Sequence, residues 1–254
     1  LGYKMRDRIV LCISGPDAKS FLQNLVTNDV TKLKNNIIYS ALLTPQGKLV
    51  TDFFLVDAGQ NVLIDVNSKA SDTLLKLLSF YKLRAEIIIE KTDLKVSLGI
   101  NNKPPKGLDD PRHPKMGWRY YSNEDLSEKN INWEKIRIEN LIPEFGKELS
   151  NDSYILEYGF ENLNGVDFKK GCYVGQEVTA RMKHKSKLKK GLALVETTGS
   201  VPFDTPINAN GKIVGKVFSS SKNQALAYLR FEFASQKMMA GEIEITYHKN
   251  YFMD

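Results

Sequence analysis

The chain has 254 residues, two of them cysteines, with 42% hydrophobic and 26% charged residues and a formal net charge of +6. This balance excludes a disordered chain, and two cysteines exclude a disulfide framework. The longest clean apolar runs, such as Ile9–Ile13, fall far short of the ~20 residues of a membrane-spanning helix. One large module or two to three smaller ones are expected, and the positive balance favours acidic or phosphorylated partners.

In chain order, the N-terminal residues lack the apolar stretch of a secretory signal, so an intracellular location is expected, cytoplasmic or, in a eukaryote, the mitochondrial matrix. Residues 8–14 read as a buried strand with Cys12 in its core, and Pro16 is placed to open a helix. Ala18, Phe21, Leu22 and Leu25 form an apolar helical stripe that ends in the turn-forming Thr27-Asn28-Asp29. Residues 37–43 and 49–56 read as strands joined by Thr44-Pro45-Gln46-Gly47, a hairpin signal. A third strand over 61–66, a helix marked by Ser71, Leu74, Leu75 and Leu78, and a strand over 85–90 follow. Antiparallel strands with interspersed helices predict an α+β layer.

Beyond a strand at 96–100, residues 101–117 form a long proline-bearing loop, followed by a short strand at 118–121 and a helix over 132–140. From about Leu188 the pattern becomes short strands separated by glycines and turns, which predicts a small C-terminal barrel or sandwich. Lys183, His184, Lys185, Lys187, Lys189 and Lys190 concentrate positive charge. If extended, the alternating lysines face one side and suit an anionic tail or RNA phosphates; otherwise they form a solvated surface.

The densest chemistry lies in Lys169-Lys170-Gly171-Cys172-Tyr173-Val174-Gly175-Gln176-Glu177 and the following Val178-Thr179-Ala180-Arg181. Cationic neighbours and a nearby helix start both favour a thiolate at Cys172, whereas an inert buried cysteine needs an apolar setting. The three histidines, His113, His184 and His248, show no pairing with it, and zinc-type ligand spacing is absent. No intrinsic metal is expected. One thiol cannot hold an iron–sulfur cluster alone, so any cluster role requires ligands from elsewhere.

Lys170–Glu177 resembles the signature of the YgfZ family of folate-binding proteins, relatives of the glycine cleavage T-protein (aminomethyltransferase). Further matches follow in order: Leu25-Val26-Thr27-Asn28-Asp29-Val30, Leu43-Thr44-Pro45-Gln46-Gly47-Lys48 and Tyr81-Lys82-Leu83-Arg84, then Asp110-Pro111-Arg112, Gly117-Trp118-Arg119, and Arg137-Ile138-Glu139 through Ile142-Pro143-Glu144. The resemblance implies an α+β architecture of three subdomains around a central opening. Residues 1–185 would form a T-protein-like region of two α+β subdomains, with approximate limits, and 186–254 a β-barrel. It implies binding of tetrahydrofolate or a one-carbon derivative, with Glu139 at the position of the pteridine-contacting glutamate. Asn28, Arg84, Asp52 and Arg181 are further folate-binding candidates, the last suited to a polyglutamyl tail.

The T-protein's paired acids read Thr51-Asp52 here, so only Asp52 remains of the transfer chemistry. The expected role is therefore a folate-binding accessory protein for assembly or repair of iron–sulfur enzymes, and through them tRNA thiomethylation. Cys172 is the functional thiol, and Lys170, Gly171, Tyr173, Gly175, Gln176 and Glu177 are its motif. Expected partners are folate and iron–sulfur enzymes or their assembly factors; direct tRNA binding is not expected. The alternative is an aminomethyltransferase using Asp52 on a lipoyl carrier protein.

Overall fold

The computed structural model describes residues 7–184 and 188–252. Its first unit is a five-stranded antiparallel sheet in the order β2-β3-β4-β1-β5, built from β1 (Arg8–Ser14), β2 (Ile37–Leu43), β3 (Leu49–Ala58), β4 (Asn61–Asn67) and β5 (Ile88–Lys91). One face packs Phe53, Leu55, Ile38 and Leu42 against α1 (Ala18–Gln23) and α2 (Ser68–Tyr81). Asn67 starts α2 by accepting from the Lys69 amide, and Leu74 and Leu78 bury its inner stripe. The opposite face presents Tyr39, Phe54 and Val56 to a second core shared with the rest of the molecule.

A small sheet follows: β6 (Lys95–Gly99), β7 (Leu108–Asp109) and β8 (Trp118–Ser122) in the order β6-β8-β7. Next come α3 (Trp133–Glu139) and α4 (Gln176–His184). The last unit is a closed barrel, β10-β11-β12-β9-β14-β13, from β9 (Lys190–Thr197), β10 (Pro206–Ala209), β11 (Lys212–Ser221), β12 (Gln224–Arg230), β13 (Met238–Ala240) and β14 (Ile243–Asn250). Its own core contains Val195, Ile207, Val217 and Ile245. Residues from all three units, including Phe54, Leu98, Ile138, Leu194 and Phe218, meet in the shared core. The architecture is α+β with a C-terminal barrel, as expected.

Several local expectations change. The first helix begins at Ala18 and ends at Gln23, because the chain must turn for Thr27 and Asn28 to bond to β2. The strand expected over 85–90 is confined to Ile88–Lys91, since the Glu86 amide is held by the Asp17 carboxylate instead. Cys12 is only half-buried, lying in β1 opposite Glu90 of the edge strand β5; burial and Glu90 both push its thiol pKa up.

The lysine run is not one extended face. Lys183 and His184 end α4, Lys190 begins β9, and Lys185 and Lys187 lie outside the described residues. Lys183 pairs with Glu161, and Lys190 lies 3.7 Å from Glu157.

Candidate functional site

The thiol motif is a short loop held at both ends. Lys170 is buried and its ammonium donates to the carbonyls of Gln23 and Val26, where the chain leaves α1. Burial lowers its pKa to about 8, against the opposing pull of Asp29 and Asp167. Tyr173 is buried in the shared core, and its hydroxyl pKa is pushed up to about 12 by burial. Between these anchors Gly171 and Cys172 are exposed. Lys170, one of the cationic neighbours of Cys172 in sequence, has its amine committed to the α1 end, and it positions the loop.

The motif continues by interlocking with the β2–β3 hairpin. Gly175 (φ +81°) approaches so closely that a Cβ would lie 2.6 Å from the Thr44 carbonyl oxygen. Gly47 (φ +76°) lies against Val178, whose Cβ would be 2.7 Å from an added Cβ. The two glycine-bearing sequence segments are therefore complementary halves of one contact. Thr179 Oγ1 donates to the Gly175 carbonyl and steadies the first turn of α4. Gln176 is half-buried, while Glu177 and Arg181 are exposed on α4.

Upstream of the thiol, the chain is tied to β2 through Thr27 and Asn28. Thr27 Oγ1 donates to the Gly165 carbonyl at 2.7 Å, and the Thr27 carbonyl accepts from the Asp167 amide. Asn28 Nδ2 donates to the carbonyls of Tyr39 and Asn164, both at 2.7 Å, and its Oδ1 accepts from the Asp29 amide. Both amide protons are thus committed, so Asn28 acts here as a brace.

Beside this brace lies a cleft of about 600 Å³. Its walls include Ile38, Pro111, Val166 and Phe168, with Lys32, Lys169 and Lys183 among its lining cations. Cys172 follows Lys169 by three residues.

Below Tyr39 lies a buried charge cluster that joins the first two sheets. Asp65 accepts from Arg8 Nε at 2.5 Å and from the Tyr121 hydroxyl at 2.9 Å, with Arg119 at 3.4 Å. Arg112 makes a bidentate pair with Asp110, at 3.0 and 2.8 Å. The Arg119 guanidinium lies 3.8 Å over the Phe54 ring and that of Arg112 4.8 Å, cation–π contacts that favour keeping these charges buried. Burial opposes ionisation of Asp65 and Asp110, but the adjacent guanidiniums outweigh it and hold both carboxyls below the usual range.

Asp52 differs. It is buried, accepts from the Tyr39 hydroxyl at 2.9 Å, and among the described residues has no hydrogen-bond partner at Oδ1. Burial pushes its pKa up, outweighing Arg8, Tyr39 and Arg112.

Asn28 lines the cleft, Cys172 lies on the exposed loop that follows its lining residue Lys169, and Asp52 is reached through Tyr39. Glu139 lies elsewhere, at the end of α3, 3.6 Å from Lys135, where it lines a polar groove of about 940 Å³ against Thr197, Ser221 and Gln224 of the barrel. Arg84 is exposed at the turn between α2 and β5. Among the described residues, no three His, Cys, Asp or Glu side chains gather at metal-binding spacing.

Two buried networks escaped the sequence reading, although some of their members stand in recognisable segments. Arg8, Asp65 and Tyr121 had no motif to mark them, although their partners Asp110, Arg112 and Arg119 fall in recognisable segments. Arg137 is the hub of a second buried network: it donates to Glu148 at 2.8 Å, to Glu134 at 2.6 Å and to Ser219 of β11. Glu134 is partly desolvated, yet Arg137 and Lys147 lower its pKa to about 2.

Residues 189–253 match the model of the CAF17 C-terminal β-barrel domain. The chain is 30% identical to the mitochondrial iron–sulfur cluster assembly factor IBA57 homolog of Neurospora crassa, over 83% of this chain and 57% of the relative. It is 27% identical to the mitochondrial IBA57 proteins of Mus musculus, over 91% of this chain and 77% of theirs, and Homo sapiens, over 89% and 76%. The chain therefore spans less than two thirds of the Neurospora relative and about three quarters of the mammalian ones. In three dimensions it resembles the glycine cleavage system aminomethyltransferase T of Bartonella henselae, with a TM-score of 0.76 and 13% identity over 96% of this chain and 83% of that one. The fold is that of the T-protein.

Proposed function

We propose that this chain is an iron–sulfur cluster assembly factor that presents the Cys172 thiol beside a folate-binding cleft. The observation that carries the reading is the Lys170–Tyr173 loop: two buried anchors hold one solvent-facing cysteine, which an inert core cysteine does not require. An exposed thiol without companion ligands among the described residues suits a step completed by a second protein or a small thiol. The IBA57 relatives are named as iron–sulfur assembly factors, and we carry that role and their mitochondrial location to this chain as part of the proposal. Iron–sulfur enzymes or their assembly factors are its partners, and tRNA thiomethylation depends on it only through such enzymes. Among the described residues, no helix is long and apolar enough to cross a membrane.

The cleft residues fit a folate. A volume of about 600 Å³ falls within the usual range of small-molecule sites. Ile38, Val166, Pro111 and Phe168 offer apolar contact to a flat body, and Lys169 offers charge to glutamyl carboxylates beside Lys32 and Lys183, which pair with Asp167 and Glu161 of the same cleft. Bound tetrahydrofolate would supply a one-carbon carrier. This proposal rests on the cleft rather than on Glu139, which faces the barrel groove. Aminomethyl transfer is the less favoured reading, because Asp52 is buried and held by Tyr39.

Calorimetric titration with tetrahydrofolate mono- and triglutamate tests the folate assignment. The triglutamate is expected to bind more tightly at low salt, with the advantage shrinking as salt screens the rim. Lys169→Glu/Lys183→Glu should remove that advantage. Equal affinities would contradict the tail assignment, and absence of binding would contradict the cleft assignment.

A further inference from the structure

The cleft and the thiol loop meet at Asp167. Its backbone amide donates to the Thr27 carbonyl at 3.0 Å. Its Oδ1 accepts from the Lys169 amide at 2.7 Å, and its Oδ2 pairs with the Lys32 ammonium. Burial opposes ionisation of this carboxyl, but Lys32 and the amides of Lys169 and Lys170 outweigh it and hold its pKa below the usual range. Asp167 therefore shapes the turn that leads into Lys170 and Cys172 while it also lines the cleft.

Upstream of Cys172 the loop thus has three tethers of different character. Two are internal: the Asp167 amide on Thr27, and the buried Lys170 ammonium on Gln23 and Val26. The third, Lys32 on Asp167, joins two residues of the cleft wall. The Lys32 side chain is 60% exposed and that of Asp167 only 9%. The lysine can swing towards a new anion, whereas the aspartate is held by its backbone bonds and cannot follow.

Downstream the arrangement repeats. Lys183, near the end of α4, pairs with Glu161 and lies 5.5 Å over the Phe168 ring, and all three line the same cleft. Lysine–carboxylate pairs of the cleft wall therefore flank the thiol segment on both sides. Exposed ion pairs of this kind contribute little to fold stability, so they can open without unfolding the chain.

We propose that Asp167 couples the cleft to the thiol loop: an anion bound in the cleft draws Lys32 away from Asp167 and loosens the loop that presents Cys172. The identity of that anion rests on the folate reading, in which a glutamyl carboxylate plays this part. The coupling itself rests on the contacts of Asp167 with Lys32 and Lys169.

Alkylation of Cys172 by iodoacetamide, located by peptide mass spectrometry, and amide exchange at Lys169 and Lys170 read the coupling without any ligand. Lys32→Gln should raise the alkylation rate and both exchange rates by about threefold or more. Asp167→Asn keeps an oxygen for the Lys169 amide but loses the ion pair, and should match it. The double variant should go no further than either alone, as expected of two residues acting through one contact. Lys32→Arg should restore the wild-type rates. Lys19→Gln is the control: it takes a lysine of comparable exposure from Asp57, a similarly shielded aspartate that does not line the cleft, and should leave the Cys172 loop unchanged. In wild-type protein, saturating tetrahydrofolate triglutamate should raise the alkylation rate as Lys32→Gln does, and it should add nothing in the Lys32→Gln protein. A wild-type alkylation rate in the Lys32→Gln protein, or an equal rise in the Lys19→Gln control, would overturn the proposal. So would triglutamate that binds by calorimetry yet leaves the rate unchanged or lowers it. Triglutamate that does not bind at all would contradict the folate reading instead, and the ligand-free variants would then decide the coupling alone.

Discussion

The Arg137 network and the Cys172 loop both arise from charge-dense sequence, and they use that charge in opposite ways. Arg137 is buried among Glu134, Glu144, Glu148 and Ser219, joining α3 to the barrel strand β11 with nearly every donor matched. Around Cys172 the buried Lys170 serves backbone carbonyls, while the cysteine and the adjacent glycine face solvent. One region uses charge to fix subdomains relative to one another; the other uses it to hold a loop that exposes a cysteine. Damage to the first should appear as lost stability, and damage to the second as lost function.

The largest effect is expected at the hub. Arg137→Ala strands buried Glu148 without its partner and should destabilise the fold by about 3–5 kcal/mol in denaturant unfolding. A loss below about 1 kcal/mol would show that the seam does not depend on this network.

Lys170→Ala is intermediate. It leaves the carbonyls of Gln23 and Val26 without their donor, a cost of about 1–3 kcal/mol, and should speed amide exchange through Gly171 and Cys172. It is the one substitution expected to affect both stability and the thiol.

A smaller, pH-dependent change separates Asp52 from its neighbours. Its folded pKa lies above the unfolded value, so its contribution to stability is fully present below about pH 3.9 and is lost as pH rises through the folded value. Asp65 and Asp110 have lowered folded pKa values and act in the opposite sense, contributing stability above the unfolded value that is lost as pH falls. Asp52→Asn should therefore gain stability relative to wild type between pH 4 and pH 7, measured as the difference between the two pH–stability curves. A difference that does not change with pH would contradict the raised value.

Much of this organisation is legible in sequence because it is local. The Thr44-Pro45-Gln46-Gly47 turn between apolar runs announces β2 and β3, and Leu74 and Leu78 mark the inner face of α2. Glycine-punctuated short runs announce the barrel, although β10 and β13 are too short to stand out. What remains hidden is long-range. Arg137 stands in a recognisable segment, but its partners Glu148 and Ser219 meet it only after folding. Sequence marks Asp52 but not Asp65, and it shows neither that Arg8 and Arg119 pair with Asp65 nor that Tyr39 alone hydrogen-bonds the Asp52 carboxylate among the described residues. Cys12 reads as core because its run is apolar, yet it faces the thin edge of the sheet.

The smallest expected stability effect belongs to the residue at the centre of the proposed function. Cys172→Ser alters an exposed side chain and should change unfolding free energy by less than about 0.5 kcal/mol. The decisive measurement is iron–sulfur enzyme activity in cells that lack their own IBA57 and express this chain with Cys172→Ser. The account predicts a folded protein with wild-type tetrahydrofolate affinity that fails to restore the enzyme. Full restoration by the serine variant would contradict it.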